Sequence, residues 1–295
     1  MRGPEILART MSKPRLLKNK DKAAAHCAWQ YHPRSDHHSN VACWGILFDL
    51  LLCSDLLREH VAEGRVAFGI NHRMVDHTNN RPKNLDLVLC RPKVGEVALT
   101  SRKKAVTFAG LVDSIGLELD EQDRALLADL PVLPERPVGS VLLALEAKAA
   151  MTEFGKARPR LYDELASSHV VVHGDTDSAI AVGFAMVNGS DSFVSPTKNP
   201  CIAWGAPMVA SKHDQPTQLK LTIKKIGELP RRETTGKAGF DAIAAVAVFC
   251  RNDGSTPVAV ITDPELGAVR EGDVLAYSTM INRVVGIYAS RFPRG

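Results

Sequence analysis

The chain has 295 residues, of which 45% are hydrophobic, so it can bury a large core, and its formal net charge of +4 permits an anionic partner without requiring one. Its six cysteines follow no regular spacing, which argues against a disulfide framework and favours reduced thiols. No apolar run has the roughly 18 to 20 residues of a membrane span, and no signal-peptide pattern is present, so we expect a cytoplasmic protein without a membrane partner.

Residues 1–38 are predicted to form a basic N-terminal arm. The segment carries Arg9, Lys13, Lys18, Lys20 and Lys22 among few large apolar residues. This composition favours a solvated, partly disordered arm, and contact of the arm with nucleic-acid phosphates is the second interpretation.

Side chains that can bind metals cluster at the end of this arm. They are His26, Cys27, His32, His37, His38 and Cys43. Structural zinc sites usually combine two tight ligand pairs, which this cluster lacks, so histidines at a polar or solvated surface are the preferred interpretation. Zinc binding by residues 26–43 stays open.

Elements of an α/β core are predicted from residue 40 onward. Apolar residues at helical spacing predict a helix from Asn40 to about Gly64, and residues 65–70 and 85–90 predict a hairpin whose returning strand carries Asp86. Residues 104–136 contain two acidic helical pieces and are interpreted as an insertion. A buried strand at 141–145 follows.

The second half of the chain alternates in the same way. A helix is predicted after Lys148, then strands at 170–172 and 178–187, and residues 219–226 alternate as a half-exposed strand. Residues 240–250 and 258–261 predict a further hairpin, and 272–292 a last helix. We expect a core over 39–218 and an α/β extension over 219–295, which the sequence also allows to belong to one domain.

The most informative feature is the end of the buried strand, where Glu146 and Lys148 follow apolar residues. Residues two apart on a strand point to the same face, so the two charges emerge side by side from a core element. Burying them is costly unless they are paired, bound to a metal or open to a cleft. With Asp86 they supply two carboxylates for Mg²⁺ and an ammonium that can orient or activate water.

Asp86 and Glu146-Ala147-Lys148 together resemble the motif of the PD-(D/E)XK nuclease superfamily, and the order of the predicted elements over residues 40–190 is similar to its common core. The resemblance implies a restriction-endonuclease-like mixed sheet flanked by helices. It also implies that Asp86, Glu146 and the Ala147 carbonyl bind Mg²⁺, with Mn²⁺ able to substitute, and that Lys148 is catalytic. Glu135, which follows Pro134, is the rival first carboxylate.

The resemblance predicts a Mg²⁺-dependent endonuclease that acts on DNA, most like a Type II restriction enzyme working as a homodimer. A repair or phage-defence nuclease acting on branched, damaged or single-stranded nucleic acid is the first alternative. A non-catalytic nucleic-acid-binding or scaffold protein, in which Glu146 and Lys148 only pair, is the second. Candidate DNA contacts are the basic residues Lys83, Lys156, Arg160, Lys220, Lys224, Arg231 and Arg232.

Overall fold

The computed structural model of the chain describes residues 1–16, 28–93, 95, 106–199 and 208–294. The helices in these ranges are α1 Gly3–Ser12, α2 His37–Cys53, α3 Asp55–Ala62, α4 Leu111–Ile115, α5 Glu121–Ala128, α6 Phe154–Asp175, α7 Thr217–Gly227 and α8 Tyr277–Arg291. The strands are β1 Arg15–Leu16, β2 Ala28–Trp29, β3 Ala67–Asp76, β4 Arg81–Pro92, β5 Val138–Ala150, β6 Ile180–Asn188, β7 Ser192–Val194, β8 Ala210–Lys212, β9 Ala242–Phe249 and β10 Ala259–Val260.

Six of the described strands form one mixed sheet in the order β10-β9-β6-β5-β4-β3. The strands β3, β4 and β5 are antiparallel neighbours, whereas β6 is parallel to β5 and β9 is parallel to β6. A parallel pair needs a long crossover, and α6 supplies it between β5 and β6. The predicted hairpins at β3–β4 and β9–β10 are confirmed, and the latter joins the C-terminal segment to the same sheet.

Helices cover both faces of the sheet. One core includes Trp44 and Phe48 of α2 and Ile281 of α8, together with residues of α1. The other includes Leu165 of α6 and Ile226 of α7. Because both faces are covered, the central strands β5 and β6 consist of nearly continuous apolar residues. The prediction of an α/β protein with a mixed sheet flanked by helices is confirmed at this level.

The N-terminal segment is not the solvated arm that its composition predicts. Ile6, Leu7 and Met11 of α1 are buried, and the carboxylate of Asp49 in α2 anchors the start of α1. Its Oδ1 accepts a hydrogen bond from the backbone N–H of Arg2 at 2.7 Å, and its Oδ2 accepts one from Gly3 at 2.8 Å. The arm prediction is therefore wrong for residues 3–12, while Lys18, Lys20 and Lys22 lie outside the described residues.

We expect Asp49→Ala to lower the free energy of unfolding by about 2 to 4 kcal/mol, because it leaves buried donors without an acceptor. The donors are the two backbone N–H groups and the hydroxyl of Tyr277, which lies 2.9 Å from Oδ2. Urea unfolding measures the change, with the exposed Glu233→Ala as the control, which should stay within about 0.5 kcal/mol of the parent. Equal losses in both variants would contradict the anchoring role of Asp49.

The predicted helix from Asn40 to Gly64 is divided. Ser54 separates α2 from α3 and caps α3, because its side chain accepts a hydrogen bond from the N–H of Leu57 at 3.1 Å. Among the described residues, no single helix is long and apolar enough to cross a membrane. Within the described ranges, α2 and α3 taken together pass that test, and they are bent by 99° at the break.

Two segments predicted as strands are helical. Residues 170–172 belong to α6, and residues 219–226 belong to α7, which places Lys220 and Lys224 on a helix. Short runs of β-branched and apolar residues fit either period, and burial against the sheet decides between them. The acidic helical pieces predicted within 104–136 are confirmed as α4 and α5, with residues 104 and 105 outside the described ranges.

Candidate active site

The structure brings Asp86, Glu146 and Lys148 together on the adjacent strands β4 and β5. These strands pair Leu87 with Leu145, so the same register continued by one residue places Asp86 opposite Glu146. Such partners have Cβ atoms about 4.5 to 5.5 Å apart and share a face of the sheet. The backbone N–H of Ala147 donates a hydrogen bond to Oδ2 of Asp86 at 2.9 Å, which fixes the carboxylate beside the E-A-K segment.

Glu146 is a deeply buried carboxylate at this site, with only 2% of its surface exposed. The Nζ of Lys148 lies 2.7 Å from its Oε1, and the Nζ of Lys83 lies 3.3 Å from the same oxygen. These contacts are close, but neither carboxylate oxygen accepts a hydrogen bond of acceptable geometry from the described residues. A buried carboxylate in this state keeps the capacity to bind a further cation.

The charges at the site change each other's protonation. Burial and the neighbouring Glu146 raise the pKa of Asp86 to about 6. Burial opposes the charge on Lys148, but the attraction of Glu146 and Asp86 outweighs it and raises the pKa of Lys148. Two carboxylates that repel one another in a poorly solvated place are the arrangement that a divalent cation would relieve.

Lys83, predicted as a DNA contact, serves inside the site instead. Its side chain is 19% exposed, and its Nζ donates to the backbone oxygen of Glu164 at 2.6 Å and to the hydroxyl of Ser168 at 2.7 Å. Ser167 and Glu146 lie 3.0 and 3.3 Å away. An ammonium has three protons, and three oxygens of α6 accept hydrogen bonds from this one, so no proton is left for a phosphate. Lys83 therefore ties α6 to the carboxylate of Glu146, and the prediction of a DNA contact is wrong for it.

A cleft of about 630 Å³ opens over Asp86, Ala147 and Lys148. The helix α6 supplies Lys156 and Arg160 to its lining, both on the exposed side of the helix. Segments 31–39 and 193–197 also line the cleft, as do further residues between 149 and 164. A second cavity of about 560 Å³ adjoins the cleft at Thr152, Glu153 and Lys156. The predicted placement of Lys156 and Arg160 beside the site is thus consistent with the geometry.

One side of the cleft depends on a residue that sequence reasoning missed. Asn252, buried after β9, accepts a hydrogen bond from the N–H of Tyr31 at 2.8 Å and donates to the oxygens of Tyr31 and Val194 at 3.0 and 2.9 Å. It therefore holds the segments around Tyr31 and Val194 in one piece. No local sequence pattern indicates this role of Asn252, because Asn252, Tyr31 and Val194 come from three distant parts of the chain.

The other predicted DNA contacts lie away from the cleft. Arg232 is fully buried, and it pairs with Asp241 at 3.0 Å and with Asp177 at 3.1 Å, so the prediction is wrong for it. Lys220, Lys224 and Arg231 are exposed, but they line neither the cleft nor the adjoining cavity. Arg231 and Arg232 are adjacent in sequence, and the sequence alone does not indicate that Arg232 is the one buried against acidic partners.

Glu135, the rival first carboxylate, lies on another part of the sheet. It forms a parallel bridge with Phe68 of β3, which is the edge strand of the sheet. Since β4 separates β3 from β5, the strand spacing of about 4.8 Å keeps Glu135 at least two strands away from Glu146. Asp86, and not Glu135, is the carboxylate that meets Glu146.

No group of three or more His, Cys, Asp or Glu side chains that could hold a metal occurs in the described part of the chain. His26 and Cys27 lie outside it, and His32, His37, His38 and Cys43 form no such group. Burial and the neighbouring Lys148 lower the pKa of His38 to about 4, so this side chain is neutral at neutral pH. A cation at the Asp86–Glu146 pair would need further oxygen ligands from backbone, water or substrate.

The site therefore offers two facing carboxylates, the ammonium groups of Lys148 and Lys83 beside Glu146, and a cleft that carries further cations. This set can hold a divalent metal, bind an anionic substrate and position a water molecule. No protein-family model, curated protein or solved structure matches the chain.

Proposed function

We propose that the chain is a metal-dependent nuclease that hydrolyses phosphodiester bonds in DNA. One observation carries the proposal: Asp86 and Glu146 face each other across β4 and β5, with Nζ of Lys148 2.7 Å from Glu146, below a cleft lined by Lys156 and Arg160. Carboxylates that repel each other beside cations are characteristic of sites that stabilise developing charge on phosphate.

The order of elements supports the same proposal. The chain runs from α2 and α3 through the antiparallel strands β3, β4 and β5, then through α6 to the parallel strand β6. This is the order expected for the PD-(D/E)XK core, with the carboxylates on its second and third strands. We therefore propose a restriction-endonuclease-like fold for residues 39–218, with β9 and β10 as an elaboration of the sheet.

In this proposal, each side chain has a separate task. Asp86, Glu146 and the carbonyl of Ala147 would hold Mg²⁺, and Mn²⁺ could take its place. The bound ion would neutralise charge on the phosphate and acidify a water molecule. Lys148, whose raised pKa keeps it protonated, would orient that water and offset charge on the phosphate, and Lys156 and Arg160 would bind the flanking phosphates. Lys83 holds Glu146 and α6 in place.

The non-catalytic alternative has its own supporting observation, which is the 2.7 Å contact between Lys148 and Glu146. In a scaffold or binding protein, this contact would be a buried ion pair and nothing more. Such a pair would not need Asp86, whose pKa is raised to about 6 by burial and by Glu146. A second carboxylate whose ionised form is disfavoured by burial and by Glu146 favours a functional site over a purely structural pair.

The type of nuclease is a finer part of the proposal. A homodimeric restriction enzyme that cuts a twofold-symmetric DNA site follows from the family resemblance alone. A repair or phage-defence nuclease would use the same residues on a different nucleic acid. The substrate panel below separates the two, because a restriction enzyme gives discrete bands from duplex DNA.

We expect purified protein to cleave DNA in Mg²⁺ and not in EDTA, and we expect Glu146→Gln to lower the rate at least about 10³-fold, because it removes a metal ligand and the charge partner of Lys148. Plasmid, linear duplex, single-stranded DNA and RNA form the panel. Glu135→Gln is the matched control and should retain the parent rate, since Glu135 lies beside the edge strand β3, at least two strands away from Glu146. Folded protein that cleaves no substrate, or loss of activity with Glu135→Gln alone, would refute this assignment.

A further inference from the structure

A row of aromatic rings follows the cleft from the candidate site into the adjoining cavity. The ring of Tyr31 lies 5.0 Å from His38 and 6.3 Å from Phe193. His213 continues the row at 6.3 Å from Phe193 with an interplanar angle of 22°, and Phe154 lies 5.0 Å from His213. The first three rings line the cleft and the last two line the adjoining cavity. The row thus connects the two cavities.

The rings of this row differ in accessibility. Phe154 and Phe193 are buried, with 4% and 1% exposed, whereas Tyr31, His38 and His213 are only partly buried. The phenylalanines therefore contribute mainly to packing, and the other three rings are partly exposed where they line the cavities. Asn252 holds the backbone of Tyr31 in place through hydrogen bonds at 2.8 and 3.0 Å, so this ring is presented on a rigid segment.

Cations accompany the aromatic row along its length. Lys148, Lys156 and Arg160 line the cleft, and Lys156 also lines the adjoining cavity together with Lys198 and Lys212. Acidic side chains interrupt them, including Glu153 between the two cavities, so the lining is mixed rather than uniformly basic. A ligand that fits this lining has repeated negative charges on one side and flat apolar faces on the other.

An unpaired nucleic-acid strand has this chemistry, and a duplex does not. Bases in a duplex stack on each other and offer only their edges in the grooves, whereas unpaired bases can stack on aromatic side chains while their phosphates follow a basic groove. We infer that the cleft binds a single-stranded segment of nucleic acid, with a base stacked on Tyr31 and with phosphates near Lys156 and Arg160. The inference rests on the proposed function for the chemistry at Lys148 and specifies its substrate class.

The inference is tested by fluorescence anisotropy in EDTA, where binding is measured without cleavage. The probes are a labelled oligonucleotide in single-stranded DNA and RNA forms and the matching DNA duplex. We expect at least about tenfold tighter binding of a single strand than of the duplex, and the DNA and RNA arms decide which sugar is preferred. Tyr31→Leu, which keeps apolar bulk and loses the ring, should weaken single-strand binding about tenfold, whereas Tyr31→Phe should bind like the parent.

Tyr162→Ala is the matched aromatic control, because Tyr162 lies on α6 under Lys225 and lines neither cavity. Lys156→Gln gives a second measurement, since loss of one phosphate contact should lower the slope of log affinity against log salt by about 1. The inference is overturned by duplex binding as tight as single-strand binding, by a folded Tyr31→Leu variant that binds like the parent, or by no binding to either.

Cleavage assays in Mg²⁺ separate this inference from the proposed function. Cleavage of duplex DNA that is insensitive to Tyr31→Leu would overturn the inference and leave the nuclease in place. Single-strand binding that depends on Tyr31, without cleavage of any substrate, would support the inference and refute the proposed function. Preferential cleavage of single strands, reduced by Tyr31→Leu, would support both.

Discussion

Replacing Lys148 by Met should lower the rate of DNA cleavage by about 10³-fold, within the range typical of a lost group that stabilises developing charge. The side chain of Lys148 lines the cleft and is 26% exposed, so its ammonium can reach a water or phosphate there. Met keeps the length of the side chain and removes the charge. The measurement is a single-turnover cleavage rate at saturating protein, which separates this step from binding of the nucleic acid.

Lys83→Met provides the matched control, because it removes a second ammonium beside the same carboxylate. Lys83 does not line the cleft, and its protons have partners in α6, so its loss should reduce thermal stability and change the cleavage rate by no more than about tenfold. Equal losses of rate in the two variants would show that Lys148 contributes only a positive charge near Glu146 and does not act on the substrate directly. Unchanged cleavage by Lys148→Met would remove Lys148 from the mechanism.

The sequence was sufficient to predict the strands of the candidate site because their signals are local. An apolar run that ends in Glu146 and Lys148 predicts a buried strand with charges at an opening, and the hairpin before it carries Asp86 on its returning strand. Only the pairing register, which places Asp86 opposite Glu146, required the structure. The position of Glu135 beside β3 also required it, because the intervening helices α4 and α5 decide where the chain returns to the sheet.

The features that the sequence analysis predicted wrongly or missed share a different cause. Each of them depends on contact with a residue that is distant in sequence. The basic composition before residue 38 concealed α1, whose burial depends on Asp49. Arginine side chains are usually exposed, but Arg232 is buried because it forms ion pairs with Asp241 and Asp177. Tyr31 lies at the cleft because Asn252 binds its backbone. Local periodicity carries no information on these contacts.

Asp86→Asn should stabilise the metal-free protein at pH 7.5 by about 3 kcal/mol while abolishing metal-dependent cleavage. Burial and Glu146 raise the pKa of Asp86 from 3.8 to about 6 in the folded state. The folded protein therefore holds this proton more tightly than the unfolded chain, and stability is lost as the pH rises from about 4 through 6. Asn has no charge to lose, and its Oδ1 can still accept the hydrogen bond from Ala147.

Urea unfolding in EDTA at pH 4, 5, 6 and 7.5 tests the sign of this effect. The difference between Asp86→Asn and the parent should be small at pH 4 and largest at pH 7.5, whereas Asp163→Asn on the exposed side of α6 should show no such trend. A variant that is less stable than the parent at pH 7.5, or a difference that does not change with pH, would contradict the proposed repulsion between Asp86 and Glu146.

Addition of Mg²⁺ should reverse the order of stability between the two proteins. A ligand that binds only the folded parent stabilises it by about 4.1 kcal/mol at 1,000 times the dissociation constant, which exceeds the advantage of Asp86→Asn, and a variant without a functional site gains nothing. If the carboxylates of Asp86 and Glu146 destabilise the metal-free protein and metal stabilises it, these side chains serve metal binding rather than folding. If Mg²⁺ and Mn²⁺ stabilise the parent and Asp86→Asn equally, the metal is bound elsewhere, and the assignment of Asp86 as a ligand is wrong.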